Sequence, residues 1–67
     1  MFAKRLKQLR YENKLSQVEL AKQLGVNKQN ISDWENEKSE TSFEMVIEIS
    51  KLFNVTVGQL LGTEDLN

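Results

Sequence analysis

Residues Ser16 to Asn36 read SQVELAKQLGVNKQNISDWEN, and their apolar and small side chains recur at the spacing of two short helices. The Ser16 hydroxyl can cap a helix that begins at Gln17, and the Glu19 side chain can reach back to complete a capping box. Gly25 can end that helix, because glycine adopts a left-handed conformation without steric cost. The stretch therefore predicts two helices that cross at a tight turn. Their inward positions are Leu20, Ala21, Leu24, Val26, Ile31 and Trp34.

The second of these helices, which Asn27 can cap, presents a polar face to the outside. Side chains on such a face can bond to base edges: lysine suits guanine, glutamine suits adenine, and a carboxylate can accept from the amino group of cytosine. The same residue types also occur on an ordinary solvated helix, so the pattern by itself leaves both interpretations open. The candidate base contacts are Lys28, Gln29, Asn30, Ser32 and Asp33.

This stretch resembles the helix-turn-helix of the lambda-repressor-like, Cro/Xre-type family of phage and bacterial transcriptional regulators. The S-Q opening, the L-A pair and the final W-E-N match the usual motif, and the downstream run SFEMVIEISKLFNVTVGQLL is similar to the family's fourth and fifth helices. The likeness covers residues 4–61. It implies an all-α fold, a compact five-helix bundle over residues 1–61 that is followed by a flexible C-terminal tail over residues 62–67.

The resemblance implies sequence-specific binding of double-stranded DNA by a transcriptional regulator, taken here as a repressor on a palindromic operator. The second helix of the motif would enter the major groove, and Arg10 of the first helix would pair with Glu35 and also reach a phosphate. The last helix and the loop before it would hold a homodimer on the DNA. The candidate phosphate contacts are Arg10, Ser16, Gln17, Asn27, Asn36 and Lys38. The candidate dimer patch consists of Met45, Val57, Leu60 and Leu61.

Two positions after the motif depart from the family's usual pattern. Glu37 stands where a glycine is usual, and Thr41 stands where a proline is usual. Without the glycine, either Asn36 adopts the left-handed conformation or the third helix continues. The fourth helix is expected to start at Thr41 or Ser42, and Thr41 with Glu44 would form a further capping box.

The apolar spacing outside the motif predicts the other helices. Phe2, Leu6 and Leu9 recur at intervals of four and three, which indicates a first helix from Phe2 to Asn13. The remaining predicted helix ends are Asn54 for the end of the fourth helix and Thr56 with Gln59 for the start of the fifth.

The composition of the 67-residue chain limits its other functions. The sequence contains no Cys and no His, which excludes disulfides, thiolate catalysis and the usual zinc sites. No apolar run approaches the ~20 residues of a membrane span. We therefore expect a soluble intracellular protein that needs no metal or cofactor and is not an enzyme. The family resemblance implies that it is bacterial or phage-encoded, cytoplasmic and associated with the nucleoid.

The formal net charge of −1 is unusual for a protein that neutralises phosphates. Its distribution is uneven, since residues 1–38 carry eight basic and five acidic side chains and residues 39–67 carry one and five. A basic side suits DNA, although an ordinary surface can show the same asymmetry. Two functions stay open: a DNA-binding regulator, or a protein-interaction module on the same fold, which Asp33, Glu37 and Glu40 favour.

Overall fold

The computed structural model describes residues 2–65, and within that range the chain forms five α-helices and no strand. The helices are α1 (Phe2–Glu12), α2 (Gln17–Leu24), α3 (Lys28–Glu35), α4 (Phe43–Phe53) and α5 (Val57–Leu61). This arrangement confirms the predicted all-α, five-helix bundle. None of these helices has the length and apolar character that crossing a membrane requires.

The helix ends follow the capping signals in the sequence. The Ser16 hydroxyl accepts from the Glu19 N–H at 3.0 Å, and the Glu19 carboxylate accepts from the Ser16 N–H at 2.8 Å, so the predicted capping box is present. Gly25 follows α2 with a φ of 71°, the left-handed conformation that glycine adopts without strain. The other predicted ends that the structure confirms are Asn27 for α3, Asn54 for α4 and Thr56 with Gln59 for α5.

Every helix contributes one fully buried aliphatic side chain to a single core. Ala21 is also buried and belongs to α2, which packs against α3, so the small side chain lets the two backbones approach. The fully buried residues, in chain order, are Leu6, Leu20, Ile31, Ile49 and Leu60. This core holds α2 and α3 at a fixed angle to α1.

The burial of Leu60 corrects the predicted dimer patch. A side chain with no exposed surface cannot contact a second protomer, and the spacing of α5 places Leu60 inward, among the core residues. Met45 and Val57 are partly buried against the same core, and Leu61 is 37% exposed. Leu61 is therefore the most exposed member of the predicted patch.

The connection between α3 and α4 also differs from the prediction. Asn36 has a φ of −104°, and α3 does not run on; instead Glu37 itself is left-handed, with a φ of 58°. The N–H of Lys38 donates to the carbonyl of Asp33 at 2.8 Å, and the N–H of Glu37 donates to the carbonyl of Trp34 at 3.4 Å. This is a Schellman motif with glutamate at the position that glycine usually occupies.

The N-cap of α4 is Ser42, whose hydroxyl accepts from the N–H of Met45 at 3.1 Å. Of the two predicted starts of α4, Ser42 is therefore the N-cap, and the predicted capping box between Thr41 and Glu44 is wrong. The hydroxyl of Thr41 is instead buried and has no hydrogen-bond partner within residues 2–65.

The predicted flexible tail begins with an ordered turn. Gly62 ends α5 with a φ of 84°, and the N–H groups of Thr63 and Glu64 donate to the carbonyl of Gly58. The Thr56 hydroxyl donates to the Glu64 carboxylate at 2.6 Å. Residues 63 and 64 therefore hydrogen-bond to α5 and to its N-cap, while residues 66–67 of the predicted tail lie outside the described residues.

Candidate nucleic-acid interface

The outward face of α3 carries the five side chains that were predicted to contact bases. Ile31 and Trp34 point into the core and fix the rotation of the helix. Lys28 and Gln29 are consequently exposed. The other three candidates, Asn30, Ser32 and Asp33, are partly buried at the flanks of this face.

Hydrogen bonds within and beside α3 engage the three partly buried side chains. The Gln29 amide donates to the Asp33 carboxylate at 2.8 Å. The Asn30 side-chain oxygen accepts from the N–H of Asn27 at 3.2 Å, which completes an unpredicted capping box. The side-chain amide of Asn36 donates to the Ser32 hydroxyl at 3.3 Å and to the Ser32 main-chain carbonyl at 2.8 Å. These hydrogen bonds restrict the orientation of the three side chains, which the sequence alone does not show to be bonded to neighbouring residues.

Arg10 and Glu35 form the ion pair that the family resemblance implies. Arg10 Nε lies 2.7 Å from Glu35 Oε2 and Arg10 Nη2 lies 3.0 Å from Glu35 Oε1, while the side chains are 7% and 0% exposed. Arg10 Nη1 donates to the carbonyl of Leu15 at 2.9 Å. The hydrogen bond to Glu35 raises the pKa of Arg10 above its ordinary value and outweighs the lowering effect of burial. Arg10 is therefore permanently charged.

The buried Glu35 carboxylate also binds the start of α2. Gln17 Nε2 donates to Glu35 Oε1 at 3.1 Å, so one carboxylate contacts α1 and α2 from its position at the end of α3. Beside this contact lies an open groove of about 480 Å³. Residues from three helices line it, among them Lys7, Arg10, Tyr11, Ser16, Gln17 and Lys28. Three candidate phosphate contacts therefore line the same groove as Lys28, the first residue of α3; they are Arg10, Ser16 and Gln17.

A family model described as helix-turn-helix matches residues 6–60 of this chain. The chain belongs to that family. The structure matches the P22 c2 repressor, solved in complex with synthetic operator 9T in the presence of Tl⁺, with a TM-score of 0.86 and 28% identity. That match covers 96% of this chain and 97% of the repressor chain, so the fold is the lambda-repressor-like one.

Relatives of this helix-turn-helix chain include regulators of greater length. It is 43% identical over 65 residues to the HTH-type transcriptional activator BcrR of Enterococcus faecalis, covering 97% of this chain and 32% of BcrR. It is 32% identical over 66 residues to the antitoxin PezA of Streptococcus pneumoniae, covering 98% of this chain and 42% of PezA. The chain spans about a third to three fifths of the length of the curated relatives it matches.

The candidate phosphate contacts of this helix-turn-helix domain lie in different parts of the surface. Ser16 and Gln17 lie with Arg10 at the groove, whereas Lys38 lines a second concavity of about 470 Å³ together with Glu37 and Glu40. Two further candidates, Asn27 and Asn36, are exposed at the start and the end of α3. The loop after α3 is thus less cationic than the groove.

Sequence reasoning missed Tyr11 as part of this surface. Its ring is 64% exposed, and the guanidinium carbon of Arg10 lies 4.6 Å from the ring centroid. A cation over an aromatic face is attracted by the ring's quadrupole, so Tyr11 helps to hold Arg10 in place. The signal that the sequence offered was an aromatic residue directly after Arg10.

Proposed function

We propose that this chain binds double-stranded DNA sequence-specifically as a transcriptional regulator, with α3 in the major groove. The observation that carries the proposal is the outward face of α3, where Lys28 and Gln29 are exposed beside the groove at the start of α2. A major groove about 12 Å wide admits an α-helix. The fold it shares with the P22 c2 repressor, which was solved with an operator, supports this use of the face.

In this proposal the side chains have two kinds of role. The base edges are contacted by the outward face of α3, and the phosphates are contacted by charged and amide side chains and by the backbone N–H groups at the start of α2. The base-contacting residues are Lys28, Gln29, Asn30 and Ser32, with Asp33 beside them. The phosphate-contacting residues are Arg10, Ser16, Gln17, Asn27, Asn36 and Lys38.

The regulator is proposed to act in the cytoplasm as a repressor that occupies a palindromic operator as a homodimer. Two-fold symmetry would place two copies of α3 one helical turn apart, about 34 Å. The dimer contact would use Leu61 with the accessible parts of Met45 and Val57. Such a small surface suits a contact that forms on DNA rather than a stable dimer in free solution.

A selection from duplexes with a randomised core tests the proposal. We expect an enriched palindromic sequence, and we expect the binding constant to fall as the salt concentration rises, because phosphate contacts release counterions. Failure of the chain to bind any duplex at low salt would contradict the proposal that it is a DNA-binding regulator. Expression of a reporter gene that carries the selected site then shows whether the chain represses or activates transcription. The second outcome is included because the relative BcrR is a transcriptional activator.

The second candidate function is a protein-interaction module on the same fold. It is favoured by the acidic side chains of Asp33, Glu37 and Glu40 near the candidate interface, and by the net charge of −1. Resemblance to the antitoxin PezA also permits it. Absence of duplex binding at low salt is the result that would favour this candidate.

A further inference from the structure

We infer that Asp33 is a positioning residue, which orients the Gln29 amide so that α3 selects a base with a major-groove amino group, adenine above all. This inference rests on the proposed function and concerns how the base is chosen. It changes the role of Asp33, because the carboxylate would act through Gln29 rather than on a base of its own.

The geometry starts from the bond between the two side chains. Gln29 Nε2 lies 2.8 Å from Asp33 Oδ1, and the residues are four apart on one face of α3. A free glutamine amide can present its oxygen or its NH₂ group in either direction. An ionised carboxylate only accepts hydrogen bonds, so Asp33 requires the NH₂ group on its own side. Gln29 Oε1 is therefore directed away from Asp33, toward the exposed part of the helix face.

The orientation of Gln29 determines which base it suits. Gln29 Oε1 can accept from adenine N6 or cytosine N4, and the second hydrogen of Nε2 remains for adenine N7. Adenine can thus form two bonds, whereas cytosine can form one. Guanine N7 can also accept from that second hydrogen, but guanine O6 would then face Gln29 Oε1, and both of these atoms are acceptors. The pair consequently disfavours guanine and favours adenine.

The charge on Asp33 has a separate effect that the experiment must remove. A carboxylate near DNA repels phosphates and lowers the affinity for every sequence alike. Glu37 provides the matched control, because it is an exposed carboxylate two residues beyond α3. Asp33→Asn and Glu37→Gln each remove one charge, but only the first disturbs the bond to Gln29.

The test measures the binding of four duplexes that differ only at the base pair whose preference Gln29→Ala relaxes. For the unmodified protein we expect adenine to be preferred over guanine by about fivefold or more. Asp33→Asn should bring this ratio close to parity at the same base pair, whereas Glu37→Gln should keep it. The double variant Gln29→Ala with Asp33→Asn should show the same preference as Gln29→Ala alone, because the two residues act as a unit.

Two DNA-binding results would overturn the inference. One is a preference for guanine by the unmodified protein at the base pair that Gln29 contacts. The other is a loss of preference in Asp33→Asn at a different base pair, which would mean that Asp33 reads a base itself. NMR of the free protein separates this inference from the proposed function: Asp33→Asn should shift the side-chain amide protons of Gln29, and Glu37→Gln should not. Unshifted protons would contradict the bond even if no duplex binds.

Discussion

Arg10 and Glu35 form a two-point ion pair that ties α1 to α3, with Nε to Oε2 at 2.7 Å and Nη2 to Oε1 at 3.0 Å. Because Gln17 donates to the same carboxylate, Glu35 connects the three helices that build the candidate interface. The pair is almost fully shielded from solvent. Its role is therefore structural first, and any contact of Arg10 with a phosphate depends on the two helices that it holds together.

We predict that Arg10→Ala lowers the free energy of unfolding by about 3 to 5 kcal/mol, because it leaves the Glu35 carboxylate buried without a counter-charge. Urea denaturation followed by circular dichroism measures the loss. Arg10→Lys should lose part of this stability, since an ammonium keeps the charge but not the two-point geometry. The replacement of both partners, Arg10→Met with Glu35→Leu, should recover most of the loss. An unchanged midpoint for Arg10→Ala would contradict the structural role.

We predict that Glu37→Gly stabilises the protein by about 0.5 kcal/mol. Glu37 has a φ of 58°, a left-handed conformation that costs a residue with a side chain about 1 to 2 kcal/mol. Glycine relieves this strain, although its more flexible unfolded state offsets part of the gain. Glu37→Ala is the control, because alanine removes the charge and keeps the strain. Equal stability of the two variants, measured by urea denaturation, would argue against strain at this position.

The sequence was sufficient for the five helices and for most of their caps, because these depend on local chemistry. The capping box of Ser16 and Glu19 needs residues three apart, and the inner face of α2 needs only helical spacing. The sequence did not reveal that Leu60 and not Leu61 is the buried residue of α5, since two adjacent leucines look alike until the helix is packed. The family resemblance places Glu37 at a usual glycine position, but a left-handed glutamate was not predicted there, because the side chain disfavours that conformation and only the Schellman hydrogen bonds compensate for it.

The Glu19 carboxylate should make the stability of α2 depend on pH. Hydrogen bonds from the backbone N–H and the hydroxyl of Ser16 lower the pKa of Glu19. The contribution of Glu19 to stability is therefore fully present above the unfolded-state pKa, and it is lost as the pH falls through the lower folded-state pKa. Titration of the Glu19 side chain by NMR measures the shift directly. Glutamine at position 19 can keep the capping box but does not titrate. The stability of the Glu19→Gln variant should therefore lack this part of the pH dependence.

Lys38 and Gln29 should differ in what they contribute to DNA binding. Lys38→Ala should weaken binding to all duplexes alike and reduce the salt slope by about 1, as expected for a phosphate contact. Gln29→Ala should lose about 1 to 3 kcal/mol on the best site and relax the preference at one base pair. Lys51→Ala, an exposed change in α4, is the control for the general effect of charge. Equal losses for Lys38→Ala and Gln29→Ala on all sequences would mean that α3 does not read bases.

Substitutions of Leu61 and of Leu60 should distinguish a loss of the dimer contact from a loss of folding stability. Leu61 is 37% exposed, so Leu61→Gln should lower the unfolding midpoint less than a change at a fully buried leucine does. It should reduce cooperative binding to the full palindrome while the affinity for an isolated half-site stays the same, because each α3 is intact. Leu60 is fully buried, and Leu60→Ala should cost about 2 to 5 kcal/mol of stability. Gel shifts on full and half sites, each paired with a denaturation curve, distinguish the two effects. If Leu61→Gln binds the full palindrome as cooperatively as the unmodified protein does, the dimer contact lies on another surface. A contact centred on Leu61 would be lost with its apolar side chain.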